Sequence, residues 1–69
     1  MSKSIITIPV AKGTFAWAVA QLAKGHVVTR QEWHYMQTPR GLMCRHQSGE
    51  WQAWHPEVGH FEATDWELL

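Results

Sequence analysis

Cysteine is nearly absent from this chain: Cys44 is the only one in 69 residues. No disulfide can form within one copy, so the stapling that small extracellular domains rely on is excluded. A charge surplus is missing too. Six basic and six acidic residues balance to zero, whereas a nucleic-acid coat or a patch for anionic membranes needs a basic excess. No apolar run approaches the roughly 20 residues that span a bilayer. The opening MSKSIITIPVAKG is short and is broken by Pro9 and Lys12, so it does not read as a secretory leader. One free thiol without a leader fits a reducing, cytoplasmic setting. Proline occurs only three times, at Pro9, Pro39 and Pro56, each time as punctuation between elements.

The chain is long enough for one domain, residues 1–69, with residues 1–13 as an N-terminal arm or edge strand. So small a core about cancels the entropy of ordering the chain, and such domains usually lean on a metal, disulfides or a partner. With disulfides excluded, a homo-oligomer is the expectation from size alone. Tryptophan is the residue in excess: Trp17, Trp33, Trp51, Trp54 and Trp66. Five large amphipathic rings exceed what so small a core can hold, and some are expected at a ligand site or an interface.

The stretch Thr14–Trp33 organises the rest. Thr14 is placed as an N-cap. Phe15, Ala18, Val19, Leu22 and Ala23 recur at helical spacing and predict one buried stripe. Trp17 lies on a neighbouring face and is expected to touch another subunit. Gly25 is the stop. From His26 to Trp33 the period changes to two and predicts a strand that ends in Trp33. Residues 37–41, with Pro39 and Gly41, form a turn, Leu42–His46 a returning strand, 47–50 a second turn, and Trp51–His55 a third strand stopped by Pro56. Residues 57–60 read as loop, 61–64 as one helical turn, and Asp65–Leu69 as a terminal strand. Ser4–Ile8 reads as a short β-branched strand. The fold class is α+β: one N-terminal helix packed on a small antiparallel β-sheet.

No catalytic constellation stands out. Cys44 sits in a strand between Met43 and Arg45 with no base beside it, the setting of a small buried hydrophobe rather than a nucleophile. Glu62 and Asp65 have helical spacing, which fits a solvated face as readily as an acid–base pair. The five histidines lack zinc-type spacing; only His34 and His46, flanking a hairpin, could face each other. The chain therefore reads as no enzyme, with no cofactor and no metal. The aromatic residues with Arg30 allow two uses. Trp faces and an Arg can hold the base and phosphate of a small nucleotide, or the rings can be sheet core and dimer interface.

Two blocks carry a resemblance. One is Phe15-x-x-Ala18-x-x-x-Leu22-x-x-Gly25-x-x-Val28-x-Arg30-x-x-Trp33. The other is Ala63-Thr64-Asp65-Trp66-Glu67 at the end, with Trp54 upstream. Together they resemble a domain-of-unknown-function family of small phage and prophage proteins. That family includes the second Thoeris anti-defence type, whose members sequester cyclic nucleotide immune signals, and an anti-CRISPR. In this chain residues 1–13 precede the first block, the middle is shorter, and residues 34–41 replace the family's Asn-Gly-Lys-Gly stretch.

The resemblance implies an oligomeric α+β sponge in the cytoplasm of an infected bacterium. It would bind a cyclic ADP-ribose-type signal or a cyclic dinucleotide without turnover. It implies Trp33 stacking on a base, Arg30 pairing with phosphate, Trp54 as a second stacking ring, and Asp65 with Thr64 as hydrogen-bonding groups. Asp65 fits a turn or cap equally well. The alternative is a protein-binding inhibitor of a host defence effector, using Trp17 and Tyr35 as interface anchors.

Overall fold

The computed structural model describes residues 10–69; the expected strand Ser4–Ile8 lies outside them. Helix α1 spans Phe15–Ala23. Its start is the expected one: the Thr14 hydroxyl accepts the Trp17 N–H at 3.2 Å and donates to the Ala11 carbonyl at 2.8 Å. Its end is a Schellman turn. Gly25 takes φ +89°, its N–H donates to the Leu22 carbonyl, and the His26 N–H reaches back to that of Gln21, which satisfies the last helical carbonyls.

The predicted strand 26–33 is instead two strands. β1 is Val28–Arg30 and β2 is Trp33–Thr38. Gln31 and Glu32 form a two-residue turn between them, with Gln31 at φ +58°, and Arg30 lies opposite Trp33. Trp33 therefore opens a strand rather than ending one. The Thr38–Gly41 turn leads to β3, Gly41–His46. The Thr38 hydroxyl tightens it, accepting the Arg40 N–H at 3.1 Å and donating to the Gly41 carbonyl at 2.9 Å. β4 is only Gln52–Ala53. Helix α2, Val58–Glu62, occupies residues expected to be loop, and the single turn expected at 61–64 is its end. β5 is Glu67–Leu68, shorter than the expected 65–69. The five strands form one sheet in the order β4-β3-β2-β1-β5, with every pair antiparallel. The α+β class thus holds: one main helix and a five-stranded antiparallel sheet.

Register decides which side chains share a face. Val28, Tyr35 and Cys44 stand opposite one another across β1, β2 and β3, and all three are buried. With Ala18 and Leu22 from α1, and with Trp54 and Trp66, they make the core. The other face carries Thr29, His34 and Arg45 in one row. The α1 stripe is rotated from the predicted one. Ala18 and Leu22 are buried, but Val19 is 44 % exposed and Ala23 is exposed. Trp17 packs partly against the core, and its bulk turns the Trp17–Gln21 side toward the sheet and Val19 outward.

Gly13 is required by space as well as by backbone. It takes φ +94°, and a Cβ there would sit 2.7 Å from the Thr64 carbonyl oxygen. Its own carbonyl accepts the Trp66 N–H at 3.0 Å. The start of α1 is thereby fastened to the segment that leads into β5.

Candidate functional site

The helix-side face of the sheet is only partly covered by α1. Beyond the helix it holds a cavity of about 520 Å³, within the range that takes small organic ligands. Its buried members are Tyr35 and Cys44 from the sheet and Trp54 after β4. Arg30, Gln31 and Trp33 line it from the first hairpin, Gln52 from β4, and Glu57 and His60 from the N-terminal end of α2.

Arg30 is the cation of the site. Its Nε donates to Asp65 Oδ1 at 2.7 Å, and its guanidinium carbon stands 6.0 Å from the Trp66 ring centroid. Among the described residues only Nε is bonded, so the terminal nitrogens keep their donors for a ligand. Trp33 stands beside it across the turn. The imidazole of His46 meets Trp33 edge-on at 5.6 Å. His46 is itself held by Ser48 Oγ at 2.8 Å and Glu32 Oε1 at 3.1 Å.

The inner wall is aromatic. Tyr35 and Trp54 have ring centroids 4.4 Å apart, and His60 meets Trp54 edge-on at 5.3 Å. His60 Nδ1 accepts the Glu57 N–H at 2.9 Å, which places the proton of the neutral ring on Nε2. Burial pushes the Tyr35 phenol up from its usual value, Cys44 and Asp65 add to this, and Arg30 opposes it. The phenol therefore stays a donor at neutral pH. Burial also raises the Cys44 thiol, with a hydrogen bond to Gln52 opposing. A thiol that stays protonated is a poor nucleophile.

Of the five ligand residues implied by the resemblance, Arg30, Trp33 and Trp54 line the cavity. Trp54 is only 6 % exposed and is enclosed by Tyr35, Phe15, Trp66 and His60. It is wall rather than a free stacking plate. Asp65 is outside the lining and is instead the ion-pair partner of Arg30. Thr64 is exposed, its backbone carbonyl lies against Gly13, and it is not among the residues that line the cavity. Tyr35, expected as an interface anchor, is 3 % exposed and belongs to the cavity floor, because it shares the inward face with Trp33. Trp17, the other anchor, is half-buried against its own core.

Sequence reasoning missed Gln31, Cys44, Gln52, Glu57 and His60. The alternation Trp33-x-Tyr35 and the pairing of Tyr35 with Cys44 would have found the floor, given the hairpin. His34 and His46 lie on opposite faces, since His46 pairs with Trp33 and His34 with Arg45. Among the described residues no three His, Cys, Asp or Glu side chains gather as a metal site, and no helix is long and apolar enough to cross a membrane.

No family model, no curated protein and no solved structure matches the chain.

Proposed function

We propose that this protein binds a small nucleotide signal and holds it without turnover. The signal would be a cyclic ADP-ribose-type molecule or a cyclic dinucleotide, and the protein a phage-encoded anti-defence sponge of the family its two sequence blocks resemble. The observation that carries this reading is the Arg30–Trp33 pair. A two-residue turn brings the cation and the indole together at the rim of a cavity of about 520 Å³. A guanidinium supplies charged donors to a phosphate, and an indole supplies a π-face to a base. Zero formal net charge favours a small anion over a nucleic-acid polymer. Sequestration needs tight binding, about −12 kcal/mol at nanomolar affinity.

Calorimetry with cyclic ADP-ribose isomers and cyclic dinucleotides tests the reading. Binding at nanomolar to low-micromolar concentration is expected, with loss in Trp33→Ala at unchanged oligomer mass. If every nucleotide in the panel binds more weakly than micromolar, the reading falls. Pull-down of a stoichiometric host protein, with no nucleotide bound, would favour inhibition of a defence effector instead.

A further inference from the structure

The cavity lining sorts by exposure, and the sorting separates acceptors from donors. Its exposed members are Gln31, Gln52 and Glu57, and each side chain carries an amide or carboxylate oxygen that accepts. Its buried and half-buried members are Arg30, Trp33, Tyr35, Cys44, Trp54 and His60. None of these side chains has a carbonyl or a carboxylate. The mouth of the cavity therefore accepts hydrogen bonds, and the inner lining chiefly gives them.

Three inner donors lack acceptors among the described residues. Tyr35 is 3 % exposed. Its phenol makes no hydrogen bond, and it lies near enough to Arg30 and Asp65 to feel both charges. Trp54 Nε1 is buried and unpaired. His60 Nδ1 is occupied by the Glu57 N–H, which leaves the Nε2–H of the neutral ring without a partner. The Tyr35 and His60 rings have centroids 6.0 Å apart, so both donors belong to one wall. Arg30 adds its terminal N–H groups, since Asp65 takes only Nε. A buried donor without an acceptor is costly, and native interiors ordinarily pair such groups. This wall is short of acceptors until a guest brings them.

We propose that the ligand enters phosphate first. Its phosphate lies below Arg30 and accepts from the Tyr35 O–H and the His60 Nε2–H, and its base faces outward against Trp33. Phosphate oxygens only accept, so they match a wall of donors. The edges of adenine, guanine and cytosine also carry amino donors, which at this wall would be left unpaired. At the mouth those amino groups meet the acceptors of Gln31, Gln52 and Glu57. Arg30 is the one permanent cation of the lining, which fits the single charge of a phosphodiester. The orientation rests on the nucleotide reading above, whereas the anion at the inner wall rests on the cavity alone.

Tyr35 is the chain's one tyrosine, so 3-fluorotyrosine labels this position and no other. Its fluorine resonance is followed as inorganic phosphate is added, with sodium chloride of matched ionic strength as the blank. A saturable shift is expected, and it is lost in Arg30→Gln. No shift beyond the blank overturns the proposal. A shift with adenosine and none with phosphate overturns it too, because a base then occupies the inner wall. Calorimetry gives the second readout. The phenol makes no bond in the free protein, so Tyr35→Phe leaves the urea midpoint at neutral pH unchanged. It is expected to raise the dissociation constant of whichever cyclic dinucleotide or cyclic ADP-ribose isomer binds by about tenfold or more. Unchanged affinity overturns the proposal and leaves the nucleotide reading standing. A saturable phosphate shift with no nucleotide bound does the reverse: the nucleotide reading falls and the anion site stands.

Discussion

Trp66→Ala is the sharpest test of the packing described above. Trp66 is 1 % exposed and is the largest fully buried side chain. Its ring lies 4.9 Å from Tyr35, 5.9 Å from Phe15 and 6.0 Å from Trp54, so the helix, the sheet and the inner wall of the cavity all rest on it. Truncating a buried tryptophan costs about 3–5 kcal/mol. A chain of this length has a total stability of roughly 3–10 kcal/mol. With a urea dependence near 1 kcal/mol per molar, the unfolding midpoint falls by about 3–5 M, and at the lower end of that range the variant is unfolded without denaturant. The counterpart is Trp33→Ala. Trp33 is half-buried at the cavity rim, so its removal is expected to spare the fold. The assay is urea unfolding followed by circular dichroism at one fixed chain concentration, which holds any assembly term constant. A Trp66→Ala midpoint within 1 M of wild type would refute the placement of this ring at the centre of the core.

Three further outcomes are expected. Gly13→Ala forces both a left-handed backbone and a 2.7 Å approach to the Thr64 carbonyl, and is expected to cost more than about 1 kcal/mol. Gly25→Ala shares the positive φ but meets nothing within 4 Å, so its urea midpoint should fall less, and the reverse order would refute the clash. The Tyr35 phenol is raised above 10.0 in the folded chain, so the folded state holds its proton more tightly than the unfolded state does. That contribution is complete below about pH 10 and is lost as pH rises through the folded value. Tyr35→Phe should therefore lose less stability than wild type between neutral and strongly alkaline pH, read as the change in midpoint for each protein. Asp65→Ala removes the acceptor of the Arg30 Nε–H, and because the ion pair is exposed this costs at most about 1 kcal/mol of stability. Nucleotide affinity by calorimetry should nonetheless drop by about tenfold, equal to 1.4 kcal/mol, as Arg30 loses its holder, and unchanged affinity would sink the positioning role.

The features legible in the sequence were those set by local chemistry. Thr14 and Gly25 bound α1 because capping depends on the residues at the ends themselves. The turn at Pro39 followed from turn chemistry. The first hairpin was hidden, because neither Gln31 nor Glu32 is a residue that favours positive φ. Reading through it made Arg30 and Trp33 neighbours along one strand, when they are partners across two. The rotation of α1 was hidden for a different reason. With apolar residues on nearly every side, the pattern has little power to choose Val19 or Trp17 as the inward one. α2 is five residues long and contains Gly59, so propensity argues against it. It forms where Glu57 and His60 tie its start and where Phe61 meets Phe15. Thr64 and Asp65 are adjacent in sequence but diverge in role, because only tertiary structure places Arg30 within reach of one of them.

The tail from Thr64 to Leu68 explains why the orientation of the site depends on residues outside the cavity. Gly13 grips this segment on one side, accepting the Trp66 N–H and packing under the Thr64 carbonyl. Arg30 grips it on the other through Asp65. Between the two grips Trp66 fills the core, and β5 then pairs with β1, the strand that ends in Arg30. The guanidinium is thus held by a segment whose own position is fixed by the loop before α1. Arg30 would otherwise spend side-chain entropy on being ordered when a ligand arrives, of the order of 1 kcal/mol for a rotamer-rich side chain. Anchoring Nε in the free protein moves most of that cost into folding and leaves the terminal nitrogens to the ligand proposed above. Gly13, with its positive φ, and the buried Trp66 therefore serve the cavity as well as the fold, although neither lines it.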